Sequence, residues 1–214
     1  MIKAVIWDFG GVITSSPFDA FNRYESERGL PKDFVRQINS TNPDTNAWAK
    51  FERSEIDAKA FDEAFAAEAR ALGHDVPGRD ILACLAGDIR PQMVDVLKGL
   101  KSRDYKIACI TNNVKAGAGA GMARTQSKAD AVADVLALFD DVIESSKVGV
   151  RKPDPAIYLM ACEALNIMPE EAVFLDDLGI NLKPAKALGM TTIKVGAAAP
   201  AIKALSDILG HPLP

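Results

Sequence analysis

The chain has 214 residues, 48% of them hydrophobic and 25% charged, with a formal net charge of −4. This is ordinary globular composition, enough for one sizeable core or for a core domain carrying a smaller insert. The acidic balance excludes nucleic acid and anionic membrane as main partners, so an anionic substrate has to be met by a local positive site.

An apolar, β-branched-rich stretch at 2–7 predicts a first strand, and its near-continuous hydrophobicity suits a parallel sheet covered on both faces. Asp8 and the glycines of "DFGGV" follow at once. Residues 16–87 contain no convincing strand. They hold helical patterns instead, and in the last of these Trp48, Phe51, Phe61 and Phe65 punctuate charged positions as one buried stripe. A helical insert of this kind reads as a cap or lid; the alternative is helices packed directly on the sheet. Strands return at "YKIACIT", "DDVIESS", "AVFLDD" and "TTIKVG", with helices expected at about 91–103, 129–138, 155–165 and 182–188. The alternation predicts an α/β fold, a parallel sheet flanked by helices. The Gly- and Ala-rich stretch at 115–128 reads as a mobile loop next to "ITNN".

Cys84, Cys109 and Cys162 form no C-x-x-C pair; Cys109 and Cys162 read as small core residues, and a reducing, cytoplasmic setting fits. No run approaches the ~20 apolar residues of a membrane span, and charged Asp8 comes too early for a signal peptide. Three predicted strands end in polar residues: Asp8, Thr111 and the Asp176–Asp177 pair. Lys152 follows a further strand in "VGVRKPDP". Ligand crevices of open α/β sheets lie at the carboxyl ends of strands, so these groups should converge. Buried carboxylates need a cation, and Lys152 alone does not neutralise them. Carboxylate oxygens suit Mg²⁺, with Asp8 and Asp177 as direct ligands and the Gly10 carbonyl as a third. Thr111 and Asn112 can donate to phosphoryl oxygens, and an attacking aspartate would form an aspartyl-phosphate.

The motifs "DFGGV", "ITNN", "VRKPDP" and "FLDDLGINL", in this order, resemble those of the haloacid dehalogenase (HAD) superfamily. The later spans look most like the N-terminal phosphatase domain of soluble epoxide hydrolases and its bacterial relatives. The resemblance implies a Rossmann-like HAD core at 1–15 and 88–214 with a small helical C1 cap at 16–87. It implies Asp8 as nucleophile, Thr111 and Lys152 as catalytic and phosphate-binding groups, and Asn112 as a substrate-facing neighbour. It also implies a Mg²⁺ site of Asp8, Gly10, Asp177 and Asp176, and a small phosphorylated substrate. Asn181 falls where the family often has a polar residue supporting the metal site; a helix-capping side chain is the alternative.

One position departs from the commonest family pattern. Where D-x-D phosphatases carry a second aspartate that protonates the leaving oxygen, this chain has Gly10. Such acid–base help is worth about 10²–10⁴ in rate. Three explanations stand: a phosphatase acting on a good leaving group, a 2-haloacid dehalogenase-type hydrolase, or a HAD-fold binding protein without catalysis. The Asp176–Asp177 pair favours the Mg²⁺ enzyme. Both glycines are expected to let the chain turn sharply from the crevice. His74 and His211 lie at no motif. Glu52 and Arg53 are placed to reach the crevice, although such charges more often face solvent, and Arg151 either pairs with an acid near the site or faces outward.

Overall fold

The computed structural model describes residues 1–113 and 125–214. Five parallel strands form its centre: β1 (Ala4–Trp7), β2 (Lys106–Thr111), β3 (Asp141–Glu144), β4 (Ala172–Asp176) and β5 (Thr191–Lys194). Their order is β3-β2-β1-β4-β5. The chain runs outward from β1 to β3, then returns to the other side of β1 for β4 and β5. Strand order therefore reverses at β1/β4, where α/β sheets place their ligand crevice.

Successive side chains of a strand point to opposite faces, and the core divides accordingly. Val5, Trp7, Ile107, Cys109, Val173 and Leu175 join one buried cluster. Ala4, Ile6, Ala108, Ile110, Ala172 and Phe174 join another. Apart from Lys106 at the start of β2 and Thr111 and Asp176 at strand ends, the inner strands are apolar because both faces are covered.

The helices follow in chain order. After β1 come α1 (Pro17–Arg28), α2 (Phe34–Ser40), α3 (Ala47–Glu52), α4 (Ala58–Ala71) and α5 (Gly78–Ala83). These carry a cluster of their own around Phe21, Phe34, Phe51, Phe61 and Phe65, in which the Phe51 and Phe61 rings stack at 4.7 Å. Where this segment leaves and rejoins the rest, the two crossings run side by side. The Ser15 N–H donates to the Asp88 carbonyl and the Arg90 N–H to the Ile13 carbonyl, each at 2.8 Å.

The remaining helices are α6 (Pro91–Lys101), α7 (Gln126–Leu136), α8 (Ser145–Val148), α9 (Pro155–Leu165), α10 (Gly179–Ala187) and α11 (Ala198–Leu209). Helices α6, α7 and α11 cover one face of the sheet, and α9 and α10 the other. Most of the expected loop at 115–128 lies outside the described residues. Its last part corrects the expectation: Thr125 caps α7, its hydroxyl accepting from the Lys128 N–H. Among the described residues no helix is long and apolar enough to cross a membrane.

Candidate active site

The register that pairs Trp7 with Leu175 continues one residue further, because the Asp8 N–H donates to the Leu175 carbonyl at 2.8 Å. Asp8 and Asp176 thereby emerge side by side at the reversal point. Asp177 follows, and one oxygen from each of the three carboxylates lies within 4.8 Å of the others.

Lys152 comes from the segment between α8 and α9 and is 1% exposed. Its Nζ is 2.8 Å from Asp8 Oδ1 and 2.8 Å from Asp176 Oδ2. Burial opposes the lysine's charge, but the two carboxylates outweigh it and hold its pKa above the usual lysine range. Asn112 fixes the backbone of this lysine: its Oδ1 accepts from the Lys152 N–H at 2.8 Å and its Nδ2 donates to the Lys152 carbonyl at 2.9 Å. Asn112 also lines the cavity, and the second N–H of its Nδ2 is not used in holding Lys152.

The carboxylates differ in what already holds them. Asp176 is fully buried and accepts from Lys152, from the Leu178 N–H at 2.8 Å, and from Asn181 Nδ2 at 3.1 Å to each oxygen. Asn181 thus supports an acid of the cluster and does not cap α10, which opens at Leu178 without a side-chain cap. Asp8 Oδ1 accepts from Lys152 and from the Phe9 N–H at 2.6 Å. Asp177 is half-buried, with the Ser16 hydroxyl donating to Oδ2 at 3.4 Å.

Burial pushes the Asp8 pKa well up, and the charges of Asp176 and Asp177 add to this against the pull of Lys152. Burial, then Asp176, raises Asp177 to about 6, opposed by Lys152 and Ser16. Three carboxylates against one ammonium leave two negative charges when all are ionised. A divalent cation fits that donor set and that imbalance.

Gly11 sets the cluster's inner limit. It has φ +78°, and a Cβ there would lie 2.2 Å from Asp177 Oδ2. At Gly10 no left-handed φ occurs and a Cβ would meet nothing within 4 Å. The expectation that both glycines serve the turn is therefore corrected: Gly11 alone is constrained.

A cavity of about 650 Å³ opens over the cluster. Asp8, Gly10, Thr111 and Asp177 line it from the strand ends, Lys152 from between α8 and α9, and Phe18, Phe21, Arg36 and Trp48 from the α1–α3 segment. Glu52 and Arg151 line it too, with Arg151 Nε 2.7 Å from Glu52 Oε2. Of the two placements the sequence leaves open for this pair, crevice and solvent, the structure takes the crevice. Their only sequence signal is opposite charge, because 98 intervening residues separate segments that the fold brings together. Arg53 instead pairs with Glu55 at 2.6 Å.

A model of the haloacid dehalogenase-like hydrolase family matches residues 2–189. The chain belongs to this family. This HAD-like hydrolase is 32% identical to mouse acyl-CoA dehydrogenase family member 10, across 99% of the chain and 19% of that protein. It is 30% identical to mouse bifunctional epoxide hydrolase 2, across 100% and 40%. The chain therefore spans less than half of either relative. A phosphorylated carbohydrates phosphatase of Thermotoga maritima is 27% identical over 90% of this chain and 84% of its own. Among solved structures, a HAD family enzyme from Bacteroides thetaiotaomicron, in complex with magnesium and inorganic phosphate, shares the fold. Its TM-score is 0.60 at 20% identity, covering 93% of this chain and 98% of that one.

Proposed function

We propose that this HAD-like hydrolase is a Mg²⁺-dependent phosphatase that hydrolyses a small-molecule phosphate ester through an aspartyl-phosphate on Asp8. The observation that carries the reading is the cluster of Asp8, Asp176 and Asp177 around the single ammonium of Lys152. A carboxylate displacement at carbon needs no cation, whereas a cluster of carboxylates that calls for a divalent cation suits a metal-assisted attack on phosphorus. The Thermotoga maritima relative, named as a phosphatase of phosphorylated carbohydrates, supports the same substrate class.

Asp8 Oδ1 is held by Lys152 and the Phe9 N–H, so Oδ2 is the attacking oxygen. Lys152 balances the nucleophile and the incoming phosphate, and Asn112 keeps its backbone in place. The Thr111 hydroxyl donates to a phosphoryl oxygen. Asp8, Asp177 and the Gly10 carbonyl hold the cation, with Asp176 behind them as partner to Lys152. When bound, Mg²⁺ supplies Lewis-acid charge neutralisation for the phosphoryl group. Residues 16–87 form a cap domain that closes the cavity over a core of 1–15 and 88–214, consistent with their separate aromatic cluster and the paired crossings at Ser15 and Asp88.

The test is a panel of an activated aryl phosphate, sugar phosphates and lipid phosphates. Expected is hydrolysis that requires Mg²⁺, stops with EDTA and is lost in Asp8→Asn. The absent acid at Gly10 keeps two other readings in the panel. Metal-independent halide release from a 2-haloacid would replace the proposal with a dehalogenase. Phosphate binding with no turnover of any ester would replace it with a binding protein.

A further inference from the structure

The hydrolysis proposed above needs a proton for the departing oxygen, and Gly10 has no side chain to give one. No His, Cys or Tyr is among the described residues lining the cavity; the carboxyls there are Asp8, Asp44, Glu52 and Asp177. In the proposed reaction Asp8 attacks and Asp177 holds the cation. Asp44 is exposed at the rim.

Glu52 remains, and its setting differs from that of a surface acid. It is 5% exposed, at the end of α3. Its carbonyl accepts from the Ser145 hydroxyl at 3.0 Å, which ties α3 to the segment following β3. Arg151 Nε is in ion-pair contact at 2.7 Å but out of hydrogen-bond alignment. Burial raises the carboxyl pKa above its ordinary value, against the opposing pull of Arg151, a Trp48 hydrogen bond, Lys152 and Arg53.

The geometry points to Glu52 as the residue that protonates the leaving oxygen in place of an acid at position 10, a role that rests on the phosphatase reading. As Asp8 bonds to phosphorus, the bond from phosphorus to the leaving oxygen breaks. The electron pair stays on that oxygen, which takes the Glu52 proton. Water then attacks the phosphoaspartate and gives its proton to the Glu52 carboxylate. The bond from phosphorus to Asp8 breaks, restoring both carboxyl groups and releasing phosphate. Arg151 steadies the carboxylate between the two steps.

Leaving-group dependence separates this role from a structural one. kcat/KM is measured with Mg²⁺ on an alkyl phosphate and on p-nitrophenyl phosphate, for the wild type, Asp8→Asn, Glu52→Gln and the double variant Gly10→Asp/Glu52→Gln. Glu52→Gln is expected to lose about 10²–10⁴-fold on the alkyl ester, which needs the proton, and far less on the aryl ester, which does not. The double variant is expected to recover alkyl turnover, because position 10 has open space for the new side chain. Equal losses of Glu52→Gln on both esters, without rescue, would make Glu52 a packing residue and overturn the inference. So would unchanged alkyl turnover in Glu52→Gln while Asp8→Asn is inactive, an outcome that leaves the phosphatase reading standing. Absence of wild-type turnover on either ester would sink both.

Discussion

Gly10 and Gly11 are adjacent but differently constrained. Gly11 holds φ +78° with a would-be Cβ 2.2 Å from Asp177 Oδ2, while position 10 is open. Gly11→Ala is expected to cost about 1–3 kcal/mol in urea unfolding, from left-handed strain and displacement of Asp177. Gly10→Ala should stay within about 0.5 kcal/mol of wild type. Equal effects of the two substitutions would contradict the geometry. At Asn112 the amide clamps both polar backbone atoms of Lys152. Asn112→Ala should therefore lower kcat by about 10²-fold, with a smaller change in KM, because a misplaced ammonium costs mainly in the transition state. A change confined to KM would instead mark Asn112 as a direct substrate contact. The convergence of Asp8, Thr111 and the Asp176–Asp177 pair was legible in the sequence because polar residues at strand ends follow apolar runs, and that of Lys152 through its motif "VRKPDP". The clamp by Asn112 and the pairing of Glu52 with Arg151 were not, since a polar side chain's partner is set by tertiary proximity that no local pattern encodes.

Elements were legible in proportion to how strongly burial patterned them. The inner strands are apolar on both faces, and α9 (Pro155–Leu165) coincides with its predicted range, helped by Pro155 at its start and the Asp154 cap before it. Three helices, α5, α8 and α11, lie outside the expected ranges. The four residues of α8 are too few for a period to show. In α11 the buried stripe is only Ala201 and Leu205, and it follows an Ala- and Pro-rich opening that reads as loop. A further feature, the entry to α2, depends on a buried acid. Asp33 has φ +62°, and Glu25 accepts from the Asp33 N–H at 2.8 Å and the Val35 N–H at 2.9 Å. These are donors that the helix start leaves without an intrahelical partner. Glu25→Ala should therefore destabilise the protein by about 1.5–3 kcal/mol, the range for hydrogen bonds to a charged acceptor. Denaturant unfolding measures this directly, and a loss below about 0.5 kcal/mol, the level of an ordinary surface substitution, would show that water replaces the carboxylate there.

At the scale of the whole molecule, the sheet order brings carboxylates from β1 and β4 together at one crevice, and the fold bears the electrostatic cost of that convergence. Burial and mutual repulsion raise Asp177 to about 6 and Asp8 in the same direction. An unfolded chain releases these protons near the ordinary aspartate value of about 3.9. Between that value and about 6 the folded metal-free protein therefore holds protons that the unfolded chain has lost. By linkage, the cluster's favourable contribution is fully present below about pH 4 and is lost as pH rises through about 6. A divalent cation reverses this, because it binds the ionised carboxylates and competes with their protons. Saturating Mg²⁺ should thus raise Tm more at about pH 7.5 than at about pH 5, by mass action on the folded state alone. In Asp177→Asn, which removes a ligand charge along with its titration, the Mg²⁺-induced rise should shrink at the higher pH and lose most of its pH dependence. A Mg²⁺ shift as large at the lower pH as at the higher would mean that the cation binds somewhere other than these carboxylates, and the convergence at the strand ends would then need another explanation.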